Sequence, residues 1–387
     1  MKKLAITIFF ETFILIMLGL VMVMTASSTY SIQQFSNVFY LFNSHFGKVI
    51  IGIVALITFS FIPYEIYKEY SKPFLILVTL LLVFILLFGN SVKGADRWVS
   101  IFGSTFQPAE IAKLALIIHL AKLLEEKGDL IKNFREGFSY LFFWVILISV
   151  LILLEPNISN GILLIFISLV ILFVGGAKFT HIVSASFFTL ISAGSVAMIF
   201  AHSRERIMSF ISSMQNGSVL NFQVKQALYG LGSGGLAGVG IGHSSQSNLF
   251  LPESYGDFIF AILGEEMGFI GAVIVLLAFL FLFIAGLYIA KKTKDRFGQM
   301  LAFGISFSIL TYALINASVA IGLIPTTGLP LPFISYGGTS MILMSISVGI
   351  LVNIAVSNSI AQKGNNPSTD GLADESKFNN RRDGITL

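Results

Sequence analysis

Residues 271–290 read GAVIVLLAFLFLFIAGLYIA, twenty positions without one charged side chain. A helix needs about 20 apolar residues to cross the hydrocarbon core of a bilayer, so this stretch is read as membrane-spanning. Working outward, the apolar run extends to 258–290, and nine more runs surround it: 5–27, 46–64, 73–89, 108–124, 138–154, 160–175, 180–200, 299–323 and 339–360. The whole chain has 387 residues, 55% hydrophobic and 11% charged. An ordinary soluble domain carries roughly 25% charged residues, and this chain could not coat several cores with so few. The reading is an all-α polytopic membrane protein: a bundle of ten transmembrane helices with a long outer loop before helix 8. Residues 1–360 form that domain, and the polar stretch 361–387 is read as a disordered cytoplasmic tail.

Lys2 and Lys3 precede the first run and Ala26-Ser27-Ser28 follows it, which raises a signal peptide. The run is too long for an h-region and nine more follow, so a retained anchor is preferred. With both termini inside and ten crossings, 17 of the 24 Lys and Arg fall in cytoplasmic segments. The other seven are Lys48, Lys93, Arg97, Lys113, Arg204, Arg206 and Lys225. The positive-inside rule therefore places both termini in the cytoplasm. The chain has no cysteine, which excludes disulfides, thiolate metal sites and cysteine nucleophiles. Its five histidines show no ligand spacing, so no metal site is read, and a net charge of +4 gives no support to nucleic-acid binding.

Three outer segments, 90–107, 201–257 and 324–338, carry more Gly, Pro or charge than connectors need. Between Ala227 and Gly242 seven glycines occur, and Gly232-Ser233-Gly234 lacks the strand a dinucleotide fingerprint requires. Two readings stay open for this stretch. Its backbone N–H groups form an anion nest, with Arg204, Arg206 and Lys225 nearby, or it is a re-entrant connector that packs closely.

Ionisable groups inside apolar runs mark partners or wet cavities. Glu110 and Lys113 lie three residues apart after Pro108, on neighbouring parts of one helix face. They are read as a pair that either lines a polar cavity or only fixes packing. Asp257 opens the eighth run as a helix cap or as a functional carboxylate. Glu265 and Glu266 lie about 12–13 Å deeper, turned about 80° and 180° from Asp257, so at most one of them shares its cavity. Gly264 and Gly268 are spaced as a close-packing pair.

From Asn316 through Gly322, Pro325 and Gly328 to Pro330-Leu331-Pro332-Phe333-Ile334-Ser335-Tyr336-Gly337-Gly338-Thr339-Ser340, the chain resembles the signature of the SEDS family (shape, elongation, division and sporulation). Gly94-Ala95-Asp96-Arg97-Trp98, Gln107 to Lys113, Arg204-Glu205-Arg206-Ile207, Gln226-Ala227, Pro252-Glu253 and Asp257 to Phe260 extend the similarity over residues 1 to about 357. Gly264-Glu265-Glu266 and Ile324 to Gly328 look more like the division branch than the elongation branch. The resemblance implies a peptidoglycan glycosyltransferase of ten helices, polymerising lipid II at the outer face of the cytoplasmic membrane during cell division. It implies a class B penicillin-binding protein and other divisome membrane proteins as partners. It makes Asp257 the catalytic carboxylate, with Arg97, Glu110, Lys113, Arg204, Arg206, Lys225 and Ser335 as substrate-binding candidates. The resemblance fixes no cofactor, and a divalent cation such as Mg or Mn is compatible with diphosphate chemistry. Two departures stand out: Asn157 where the family often has Asp, and Tyr255-Gly256 where His-Thr or a similar pair is usual. The readings from other classes are a lipid II flippase, which would gather its charges near the midplane, and a non-catalytic scaffold for division proteins.

Overall fold

The computed structural model describes residues 1–88, 90–92, 95–101, 104–155, 157–216, 221–247, 251 and 254–364. The tail beyond 364 lies outside these residues. Twelve helices run α1 (Lys2–Phe35), α2 (Tyr40–Phe61), α3 (Glu65–Phe88), α4 (Pro108–Lys127), α5 (Ser139–Leu154), α6 (Ile158–Val174), α7 (Phe179–Ile199), α8 (Ala201–Asn216), α9 (Phe222–Gly234), α10 (Ile259–Lys292), α11 (Arg296–Ala320) and α12 (Gly338–Gly364). Between α3 and α4 the backbone forms an antiparallel meander of three strands, β1 (Asn90–Val92), β2 (Ala95–Ile101) and β3 (Ser104–Phe106). All ten apolar runs are helical. Among the described residues, eight helical segments are long and apolar enough to cross a membrane, and α6, with 17 residues, is a shorter apolar one.

Helix α4 lies inside the bundle. Fifteen of its 20 residues are buried, among them Glu110 and Lys113. Protein surrounds it, so it needs no uniformly apolar surface, and charge survives there because it is paired. Its ends follow local rules: Pro108 occupies the first turn, where a missing N–H costs nothing, and Gly128 closes the last at φ 52°. Helices α11 and α12 are the other central elements, whereas α2, α3 and α7 leave most of their spans at the bundle surface. Only Ala185, Thr189, Ala193 and Ala197 of α7 are buried, a stripe of small side chains every fourth residue.

The described residues of the long loop before α10 are largely structured. They contain α8, α9 and then a re-entrant segment, 235–247, that folds back against α10. There α10 is broken at Gly268 (φ 69°, ψ −175°). The break leaves backbone groups open, and the re-entrant segment closes them. Val239 N donates to Glu265 O and Gly240 N to Glu266 O, both at 3.0 Å, while Phe269 N donates to Gly235 O (2.9 Å) and Ile270 N to Leu236 O (3.2 Å). A Cβ on Gly268 would stand 2.3 Å from Gly238 N, so glycine is required by both torsion and space. The spacing of Gly264 and Gly268 thus reflects close approach, but at Gly268 the partner is backbone.

Contacts define two ends of the bundle. At one, Tyr64 OH donates to Asp295 Oδ1 (2.7 Å), Tyr64 N donates to Asn353 Oδ1 (3.0 Å) and Asn358 Nδ2 donates to Thr293 Oγ1 (2.6 Å). Burial, then the carboxylate of Asp295, pushes the Tyr64 hydroxyl far above the usual tyrosine range. Asp295 also caps α11 by accepting from Gly298 N at 2.7 Å. The opposite end carries the loops 254–258 and 321–337.

Candidate functional site

Asp257 sits in the turn 254–258 that leads into α10 and is partly exposed. Its backbone is held from three sides. Asn316 Nδ2 on α11 donates to Asp257 O (2.9 Å) and to Leu329 O (2.8 Å), using both amide protons. Ser335 Oγ donates to Gly256 O (2.7 Å) and accepts from Leu331 N (2.8 Å). Tyr336 N donates to Tyr255 O (2.9 Å), and Ser254 Oγ donates to Ala26 O on α1 (3.0 Å). The signature loop is therefore a strut beneath the Asp257 turn. Phe333, buried at 2% exposure with φ 63°, anchors that loop against α1, where a Cβ on Gly19 would lie 2.3 Å from Phe333 O.

Arg206 on α8 approaches the carboxylate across Gly328. A Cβ at Gly328 would lie 3.7 Å from Asp257 Oδ2 and 3.8 Å from Arg206 Nη1, so both charged groups flank one point. Arg206 Nη1 also donates to Thr326 O (3.3 Å), which fixes α8 to the 321–337 loop. Beside Arg206 opens a largely apolar cavity of about 420 Å³, lined by Ile158, Ile162, Phe166, Ile315, Thr326 and Leu329 among others. A carboxylate, a guanidinium and an apolar slot meet here.

Below the turn lies a buried polar chain. Lys113 Nζ donates to Glu110 Oε2 at 2.8 Å and stands 3.9 Å from the Tyr312 ring centroid. Tyr312 OH lies 3.3 Å from Glu110 Oε1 and 2.8 Å from Asn160 Oδ1, and Asn160 Nδ2 lies 3.1 Å from Asn157 Oδ1. The phenol has one proton for two acceptors, and Asn157 Nδ2 is buried without a partner. Turning both amides over resolves this. Asn157 then donates one proton to Asn160, Asn160 one to the Tyr312 oxygen, and Tyr312 its single proton to Glu110. Asn157, neutral where the family often has Asp, thus fits the end of a chain whose charge is already balanced by Lys113.

The other candidates fall differently. Arg204 is exposed on α8, about 200° round from Arg206 at 100° per residue. Lys225 is exposed on α9, 5.7 Å from the Tyr229 ring. Ser335 is buried and acts on the backbone. The Arg97 side chain lies outside the described residues. In the glycine stretch, the amides of Gly238, Val239 and Gly240 already bond to carbonyls, which favours the re-entrant connector over the anion nest. Glu265 accepts from Ser244 Oγ (2.5 Å) and Ser245 N (2.9 Å), holding the re-entrant turn, and Glu266 Oε2 lies 3.1 Å from Thr25 Oγ1.

Sequence reasoning passed over Lys48 of α2, which donates to Tyr336 OH (3.3 Å) and lies 4.8 Å from that ring. Tyr336 also meets Tyr255, whose ring meets Tyr30, each pair at 5.5 Å between centroids. A lysine inside the run 46–64 was the available signal.

A sequence profile described as cell cycle protein, covering FtsW, RodA and SpoVE, matches residues 6–360. The chain belongs to this family. The SEDS resemblance read from the signature loop is therefore shown. Among its relatives, a probable peptidoglycan glycosyltransferase FtsW of Geobacter metallireducens is 36% identical over 340 residues, covering 87% of this chain and 90% of the relative. Stage V sporulation protein E of Bacillus subtilis is 35% identical over 346 residues, covering 89% and 94%. In a solved peptidoglycan synthase complex that coordinates polymerization and crosslinking, one chain shares the fold with a TM-score of 0.73 at 22% identity, over 91% of this chain and 97% of that one.

Proposed function

We propose that this chain is a peptidoglycan glycosyltransferase that polymerises lipid II during cell division. The observation that carries this reading is the meeting of Asp257 and Arg206 at Gly328 beside an apolar slot. In the reaction a sugar hydroxyl of one lipid-linked saccharide attacks the anomeric carbon of another. The bond from that carbon to the diphosphate breaks as the glycosidic bond forms. Asp257 takes the hydroxyl proton, general-base help worth roughly 10²–10⁴-fold. Arg206 stabilises the charge on the departing polyprenyl diphosphate, with the apolar slot beside it for the first part of the lipid. Among the described residues no three His, Asp or Glu gather as metal ligands, so Mg or Mn would take most of its ligands from the diphosphate and water.

The site faces the outside of the cytoplasmic membrane in this reading, with ten crossings and both termini inside, because 17 of 24 basic residues then lie in the cytoplasm. Residues 1–360 form the catalytic domain in this reading, and α12 continues past it to Gly364. A class B penicillin-binding protein is the proposed partner, in keeping with the polymerizing and crosslinking complex that shares the fold, and other divisome proteins are expected beside it.

The test is Asp257→Asn, assayed with its partner on labelled lipid II and resolved by product length. Asn keeps the size, and no cap is lost with the carboxylate, because the N-cap position of α10 is Phe258 rather than Asp257 and carries no side-chain cap, which corrects the helix-cap reading of Asp257. The expected result is folded, partner-bound protein whose polymerisation rate falls by two or more orders of magnitude, roughly the scale of a lost general base. Near-normal polymer would remove Asp257 as the base. Wild-type protein that moves lipid II across liposomes without making polymer would favour the flippase.

A further inference from the structure

Among the described residues, two buried carboxylates of the bundle have partners within the chain, and Glu11 contrasts with them. Glu110 receives hydrogen bonds from Lys113 and Tyr312, and Glu265 from the re-entrant turn. Glu11 of α1 receives none among the described residues, and its Oε2 is buried without a partner. Thr7, one turn earlier, cannot help, because its hydroxyl donates to Lys3 O at 3.0 Å. Glu11 follows Lys2 by nine residues, about 14 Å along the axis at 1.5 Å per residue, which is close to half of a hydrocarbon core of about 30 Å.

The surface around it has the shape of an unfilled helix contact. Ile6, Phe10 and Ile14, spaced by four, stand 56%, 58% and 64% exposed and form a ridge along α1. A groove of about 500 Å³ runs beside the ridge between α1 and α10, lined by Thr7, Glu11, Ile14, Val275 and Ala278 among others. A second groove of about 480 Å³ lies on the other flank, between α1 and residues of α2 and α12, with Lys2 among its lining residues. A ridge of i, i+4 side chains bounded by grooves is the surface that helix packing requires. Acyl chains can fill apolar space, but they bring no donor to a carboxyl group.

We propose that the α1–α10 groove receives a transmembrane helix of another protein, one that carries a hydrogen-bond donor, an amide or a cationic side chain, at mid-membrane depth opposite Glu11. Charge complementarity selects this occupant: the groove offers an acceptor where lipid offers nothing in return, and interhelical hydrogen bonds of this kind hold membrane helices together. The proposal concerns a face distinct from the Asp257 end and stands whether or not the polymerase reading does.

The experiment uses the full chain in liposomes with Ile14→Cys, which is specific because the sequence has no cysteine. The probe is a polyleucine transmembrane peptide of about 20 residues with one central Asn, Lys or Leu and a cysteine one turn away. Crosslinking to the Asn and Lys peptides should exceed that to the all-Leu peptide by about threefold to tenfold, the range expected for one interhelical hydrogen bond. Glu11→Leu should bring all three peptides to the all-Leu yield. Glu11→Gln should retain capture of the Asn peptide and lose the advantage of Lys, which shows that the bundle is intact. A cysteine placed by Leu190→Cys on the lipid-facing side of α7 should not discriminate among the peptides. Equal yields for Asn, Lys and Leu peptides, or an advantage that survives Glu11→Leu, would overturn the proposal and leave the groove to lipid.

Discussion

Glu110 and Lys113 should prove inseparable. Their charged atoms are 2.8 Å apart and their side chains only 2% and 8% exposed, so neither charge has water to fall back on. Removing one partner of such a pair costs about 3–5 kcal/mol, whereas replacing both with apolar groups of similar volume is often close to neutral. Glu110→Gln should be the milder single change. Its amide oxygen still accepts from Lys113, whose ammonium also keeps the Tyr312 face, a contact worth about 0.5–2 kcal/mol. Lys113→Met should approach the upper end, because it leaves Glu110 with Tyr312 alone. The singles Glu110→Leu and Lys113→Met and their double close a cycle, in which the double should cost less than the sum of the two singles, with a coupling of at least about 2 kcal/mol. Reversible unfolding in mixed micelles, followed by the fluorescence of the two tryptophans, reads all three. Additive effects within about 0.5 kcal/mol would refute the argument, since residues that do not share an interaction behave that way.

Two further outcomes are expected. Gly268→Ala should destabilise the folded protein by more than the roughly 1–3 kcal/mol of a strained torsion, because the new Cβ would also meet Gly238 N at 2.3 Å; a melting temperature unchanged in detergent would contradict the break in α10. Asn37→Cys, exposed between α1 and α2, should react with an impermeant thiol reagent in intact cells, and Lys178→Cys, exposed between α6 and α7, only after permeabilisation; the reverse pattern would invert the orientation.

The helices were legible because a bilayer forces each crossing into a long apolar run, and 271–290 or 339–360 can mean little else. The position of Asp257 in the turn before α10 was legible through its place in a motif just ahead of an apolar run. The chain Glu110–Tyr312–Asn160 was not, since its members are separated by 202 and 152 positions and a tyrosine within an apolar helix gives no local sign of its partner. Ser335 and Asp257 lie in conspicuous motifs alike, yet one is a buried strut and the other a partly exposed carboxylate, a difference set by tertiary burial. Gly268 carried a signal of close approach without revealing that the approaching group was a backbone amide. The strands between α3 and α4 left no alternating pattern strong enough to read.

The break in α10 has a consequence for how the protein is made. A helix interrupted at membrane depth cannot rest there alone, because hydrocarbon offers nothing to its open amides and carbonyls, and a glycine-rich loop at the same depth has the same difficulty. Each supplies what the other lacks through the four backbone bonds between 235–240 and 265–270. The two pieces must therefore enter the bilayer together. They lie close in sequence, so the ribosome delivers them almost at once, and the first half of α10 with its preceding loop is a single unit of insertion.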